Sequence, residues 1–214
     1  MNLLRTIFAA AVLAGLTAHA QAQNTAQPAE PGGSQIRMFD AWAQFPYPSW
    51  HKTENALAES KVSRQQHADT FVVAMVPKKE SFRDWTNQYT LFGTWRENLT
   101  LRKFMNSSVS ALLTACGRDN FKLRKIQRNQ NSALVAVYCM NSPNGPAAYG
   151  YGDGVGEVTL MWMGQFQNSF VKIYEQWRGP KFNPADTSSW PVSKAVLDRS
   201  IVRFSGIRLL PYTQ

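Results

Sequence analysis

The chain has 214 residues, a formal net charge of +9, 44% hydrophobic and 17% charged residues, and only two cysteines and three histidines. Such a composition excludes a wholly disordered chain, and the few cysteines and histidines leave little material for a metal cluster. The cationic excess favours anionic partners, although Lys and Arg scattered over a solvated surface would give the same sum.

Residues 1–22 carry the three parts of a secretory signal: Arg5 in a short basic start, an apolar run over 6–16, and a small-residue exit at Ala20-Gln21-Ala22. Gly15 and Thr17 interrupt the run before it reaches the roughly 18 to 20 apolar residues that a membrane span needs. The expectation is a cleaved signal and a mature chain without a transmembrane segment, located in the periplasm of a bacterium. Residues 23–38, with Pro28, Pro31, Gly32 and Gly33, read as a disordered leader, and 39–214 as a single globular domain.

Along that domain, Phe45-Pro46-Tyr47-Pro48-Ser49-Trp50 reads as an extended entry. Residues 61–77 read as strand, with Phe71-Val72-Val73-Ala74-Met75-Val76 central in a sheet and Pro77 ending it. A short turn carrying Phe82 and Trp85 leads to strand composition at 89–95. The period then changes. Leu101, Phe104, Met105, Val109, Leu112, Leu113 and Cys116 fall on one helical face, with Asn98 or Thr100 to cap its start and Gly117 its end. Residues 121–127 and 133–140 predict a hairpin, as do 157–163 and 169–177, and a last helix is expected over 192–204 with Pro191 in its first turn. Strands outnumber helices, so the expected fold class is α+β, an antiparallel sheet flanked by helices.

Cys116 and Cys139 lie in a chain read as bound for an oxidising compartment, where two thiols are most simply one structural disulfide. Closing that loop is worth roughly 3 kcal/mol in the chain-entropy model. Between the second cysteine and the next strand lies Tyr149-Gly150-Tyr151-Gly152-Asp153-Gly154-Val155-Gly156. A phosphate cradle needs a helix after its glycines, whereas this segment runs into strand, which argues against a nucleotide site. The segment instead reads as a flexible loop bearing exposed tyrosines, and Tyr149, Tyr151 and Asp153 are the candidate partner-binding residues. The nearest thing to a basic patch is Arg118, Lys122, Arg124, Lys125 and Arg128.

Several clusters together resemble the PsbP/Mog-like group, which includes DcrB-like bacterial envelope proteins. They are Phe45-Pro46 with Trp50, the strand ending Met75-Val76-Pro77, the acidic turn Glu80-Ser81-Phe82-Arg83-Asp84-Trp85-Thr86, and residues 174–182 followed by the terminal helix. The resemblance implies an α/β/α sandwich and a noncatalytic binding or assembly module. It implies no particular ligand. Two departures stand out: there is no lipid-anchor cysteine, and the Gly-rich loop has no counterpart in the group.

Catalytic motifs are missing from the sequence. Neither His51 nor His67 lies in a triad or zinc motif, and both read as surface histidines; Glu80 and Asp84 read as an acidic turn rather than a catalytic pair. No catalytic residue, metal ligand or cofactor is assigned. The expected function is a periplasmic noncatalytic binding or accessory protein for an envelope assembly or secretion complex. Its expected partner is an envelope protein or anionic envelope component, with nucleic acid excluded by export and the oligomeric state open. The alternative is a small periplasmic hydrolase whose site is assembled from residues distant in sequence.

Overall fold

The computed structural model describes residues 33–52 and 56–212. The expected signal peptide and the leader up to residue 32 lie outside the described residues. From Gly33 the chain is already ordered: β1 (Gly33–Met38) pairs antiparallel with β2 (Ala41–Pro46), so the leader assigned to 23–38 is too long at its C-terminal end. The composition concealed these strands because β2 buries only Ala41, Ala43 and Phe45 on its inner face, and two alanines give a weak hydrophobic signal.

After the single turn α1 (Ala56–Glu59), the chain forms β3 (Ser60–Gln66) and β4 (Thr70–Pro77), two strands where the sequence suggested one. His67 N donates to Thr70 O at 2.8 Å in the turn between them. β3 is an edge strand exposed along most of its length, so it carries no alternating pattern to betray its end. β5 (Asn87–Trp95) follows, then α2 (Leu101–Cys116), whose N-cap Thr100 accepts from Lys103 N at 3.3 Å. The two expected hairpins are β6 (Phe121–Arg128) with β7 (Ser132–Cys139), and β8 (Val155–Phe166) with β9 (Ser169–Pro180). The last helix, α3 (Lys194–Ser205), starts two residues later than expected because Ser193, not Pro191, begins it, its hydroxyl accepting from Val196 N. A final strand, β10 (Arg208–Pro211), adds to β2.

Seven strands form one antiparallel sheet in the order β3-β4-β5-β9-β8-β7-β6, and β1-β2-β10 form a second. On one face of the large sheet, Phe104 of α2 packs against Val135, Val137, Met161, Met163 and Phe170. The other face meets Met38, Ala43 and Phe45 of the small sheet together with Leu197 and Phe204 of α3. The expected α+β sandwich of helices around one sheet is therefore corrected. Among the described residues there are ten strands in two sheets and only two helices longer than one turn, a β-rich fold in which a small sheet supplies much of the layer opposite α2.

Cys116 closes α2 and Cys139 closes β7, and the two form the expected disulfide with Cα atoms 5.4 Å apart. The bridge fixes the helix end on the sheet beside the Gly-rich loop.

Candidate binding surface

The Gly-rich loop is pinned rather than free. Arg178 of β9 reaches under it, its Nε donating to Trp85 O at 2.9 Å and its terminal nitrogens to Tyr149 O and Arg83 O. The guanidinium also lies 4.2 Å from the centre of the Trp85 ring, a cation–π contact. Gly150 is needed here: its φ is +78°, and a Cβ would come within 2.8 Å of both the guanidinium and Arg83 O. One arginine thus ties the acidic turn 80–86 to the loop.

The three predicted partner-binding residues separate accordingly. Tyr149 is 61% exposed and presents its ring to solvent. Tyr151 turns inward, its hydroxyl donating to Glu157 Oε2 at 2.5 Å and its ring edge-on to Trp85. Burial, and then the Glu157 carboxylate, push its phenol well above the ordinary range. Asp153 is exposed but accepts from Asn141 Nδ2 at 2.8 Å, and this bond holds its carboxyl below the usual range. Asn141 Oδ1 accepts in turn from Gly154 N, so Asp153 closes the loop on itself. The loop therefore offers one free aromatic where two were expected.

Glu157 was not foreseen in the sequence. It is 2% exposed, and besides Tyr151 it accepts from Gln176 Nε2 at 2.8 Å and from the Thr159 hydroxyl. A buried carboxylate with both oxygens occupied holds a loop in place. Glu175 has the same character on the opposite face, accepting from Ser49 N at 2.6 Å and Ser200 Oγ at 3.2 Å, with its pKa raised by burial.

His67 is exposed, as expected, whereas His51 is only partly exposed. Its Nε2 lies 2.7 Å from Ser60 Oγ, its Nδ1 is buried with no hydrogen-bond partner among the described residues, and burial lowers its pKa. The pair matches a nucleophile and its base in spacing alone, since Ser60 is itself buried and already accepts from Trp50 Nε1, and no carboxylate orients Nδ1. Glu80 also has a local task, accepting from Thr86 N, Thr86 Oγ1 and Asn87 N and so fixing the acidic turn.

The basic run leads to a different surface. α2 sits over β7 and β8, leaving β6 beyond its cover, and a groove of about 390 Å³ opens between them. Its walls are Met105 and Val109 of α2 and Leu123 of β6, with Ala133 and Val135 of β7 below. Leu123 is 37% exposed, an apolar side chain left open to water. Arg102, Lys125 and Arg128 stand around the rim. No carboxylate lines the groove, and none of these cations is in an ion pair among the described residues.

Compared with known families and curated proteins, the chain matches none.

Proposed function

We propose that this is an exported, noncatalytic binding or accessory protein of the bacterial envelope, and that it holds an anionic partner at the groove between α2 and β6. The observation that carries the reading is the groove's chemistry, an apolar floor surrounded by cations that no carboxylate neutralises. An anionic partner with apolar groups would satisfy both. Three further features support it. The Cys116–Cys139 bridge suits an oxidising compartment, and no described helix is long and apolar enough to cross a membrane. The buried carboxylates Glu157 and Glu175 have their oxygens committed to structural hydrogen bonds.

The test uses two baits in periplasmic fluid, the wild-type protein and the double variant Lys125→Glu/Arg128→Glu. Both side chains are exposed at an edge strand, so folding should be unaffected. Partner recovery should fall at least about tenfold with the variant, and salt should weaken wild-type recovery, since exposed charges are screened over about 8 Å at physiological ionic strength. Equal recovery by the two baits would overturn the assignment.

A further inference from the structure

The large sheet has two edges, and they are treated differently. At one edge, the cations of β3 are engaged within the molecule: Lys61 Nζ donates to Glu80 O at 2.8 Å, and Arg64 donates to Gln66 Oε1 while lying over the Phe71 ring. At the other, β6 is an eight-residue terminal strand whose Lys122, Arg124, Lys125 and Arg128 side chains have no hydrogen bond or ion pair among the described residues. Charged edges discourage unwanted pairing, and β6 carries a bulge between Lys125 and Gln127 that serves the same end. Yet residues 121–125 remain a regular run with one side of their backbone unpaired.

The register separates the chemistry of the two faces of that run. Leu123 and Lys125 sit opposite Val137 and Val135, on the α2 side where the groove lies. Lys122 and Arg124 sit opposite Tyr138 and Ala136, on the other side. A single-chain amphiphile lying in the groove would meet the first face alone. It would leave Lys122, Arg124 and the strand's free backbone groups without partners. An extended peptide meets all three, because its own side chains alternate between faces while its backbone faces the edge.

We propose that the partner of the groove is an extended acidic segment of another protein, which adds to β6 as an eighth strand. Its apolar side chains enter the groove beside Leu123 and its carboxylates face Lys122 and Arg124. This rests on the reading of the groove as the binding surface, and the experiment separates the two.

The probe is the blocked octapeptide acetyl-(Glu-Val)4-amide, titrated into the full disulfide-bonded protein by calorimetry. It is compared with acetyl-(Lys-Val)4-amide, with two forms N-methylated at every valine or at every glutamate, and with dodecanoate. Along a strand successive amides point to opposite edges, so one methylated form should lose at least tenfold in affinity while the other binds as the parent does. The lysine peptide should not bind, and Lys122→Glu/Arg124→Glu should weaken the parent peptide at least tenfold without moving the melting temperature. If dodecanoate binds and the peptide does not, or if both methylated forms bind alike, strand addition is overturned while the groove remains a binding site. A protein that dimerises through β6, seen as loss of the dimer in Lys122→Glu/Arg124→Glu by light scattering, would also overturn it. If neither peptide nor dodecanoate binds, the groove reading falls with it.

Discussion

At the scale of single residues, the side chains that hold the Gly-rich loop are the ones whose loss should be felt. Replacing Tyr151 with Phe removes the hydroxyl that donates to Glu157 and leaves a buried carboxylate oxygen without that donor. An orphaned buried polar group costs about 1 to 3 kcal/mol, so Tyr151→Phe should lower the unfolding free energy by that amount in urea titrations. Tyr149→Ala should stay within about 0.5 kcal/mol of wild type, as exposed substitutions do. Lys172 of β9 makes a second case. Its ammonium lies 5.1 Å from the Phe92 ring centre and 5.2 Å from that of Tyr174, and burial pushes its pKa from the ordinary 10.5 down to about 8. The folded protein therefore releases this proton first, and between about pH 8 and 10.5 the unfolded chain binds more. Stability should accordingly rise with pH through that window, with the cost of the buried charge felt in full below pH 8. Lys172→Met should be the more stable protein at pH 7 and should lose the rise. Taking the difference between the two proteins isolates Lys172 from every group they share, and a difference that does not change with pH would show that Lys172 keeps its ordinary proton affinity.

At the scale of elements, what could be read in advance depended on whether the signal was local. α2 has a clean 3.6-residue apolar period and a threonine cap, so its bounds were visible; Thr100→Ala should cost about 1 kcal/mol, read from the shift in denaturation midpoint. The β6–β7 and β8–β9 hairpins were equally legible, because turn residues separate two runs of strand character in each. β1, β2 and β10 were not. β1 is exposed at alternate positions, β2 relies on two alanines, and β10 has only four residues, so each acquires its identity from pairing with the others. The disulfide was legible from the expected export and from there being just two cysteines. The groove was not, because the run 118–128 shows its charges in sequence but neither its place at a sheet edge nor the helix that stops short of covering it. Tyr151 misled for a related reason. Four glycines suggest a loose loop, and the arginine that pins it comes from β9, after a whole hairpin has intervened.

At the scale of the whole molecule, the small sheet and the proposed binding groove lie on opposite faces of the large sheet. On the face away from α2, β10 pairs with β2, so the last described strand completes the sheet begun by the first. Asp40, in the turn between β1 and β2, ties that small sheet down by accepting from Trp95 Nε1 at 2.9 Å and from Ser169 Oγ at 3.2 Å. Leu209 packs against the adjoining core, and Arg37 lies 3.5 Å from the centre of the Tyr212 ring. The groove opens on the other face, with the width of the sheet between. Ending the chain after Ile207 should therefore destabilise without disarming. The truncation removes the ladder to β2 and the burial of Leu209, and burying a leucine fully is worth about 1.5 to 3 kcal/mol. The unfolding free energy should fall by on the order of 2 kcal/mol, and hydrogen exchange should quicken in β2, whose second edge is then open. The affinity for the acidic octapeptide, measured below the lowered melting transition, should remain within about twofold of the full chain, because α2, β6, β7 and the bridge from α2 to β7 are untouched. Loss of peptide binding together with the small sheet, at a temperature where the truncated protein is still folded, would show that the two faces are coupled and that the groove takes its shape from the layer beneath it.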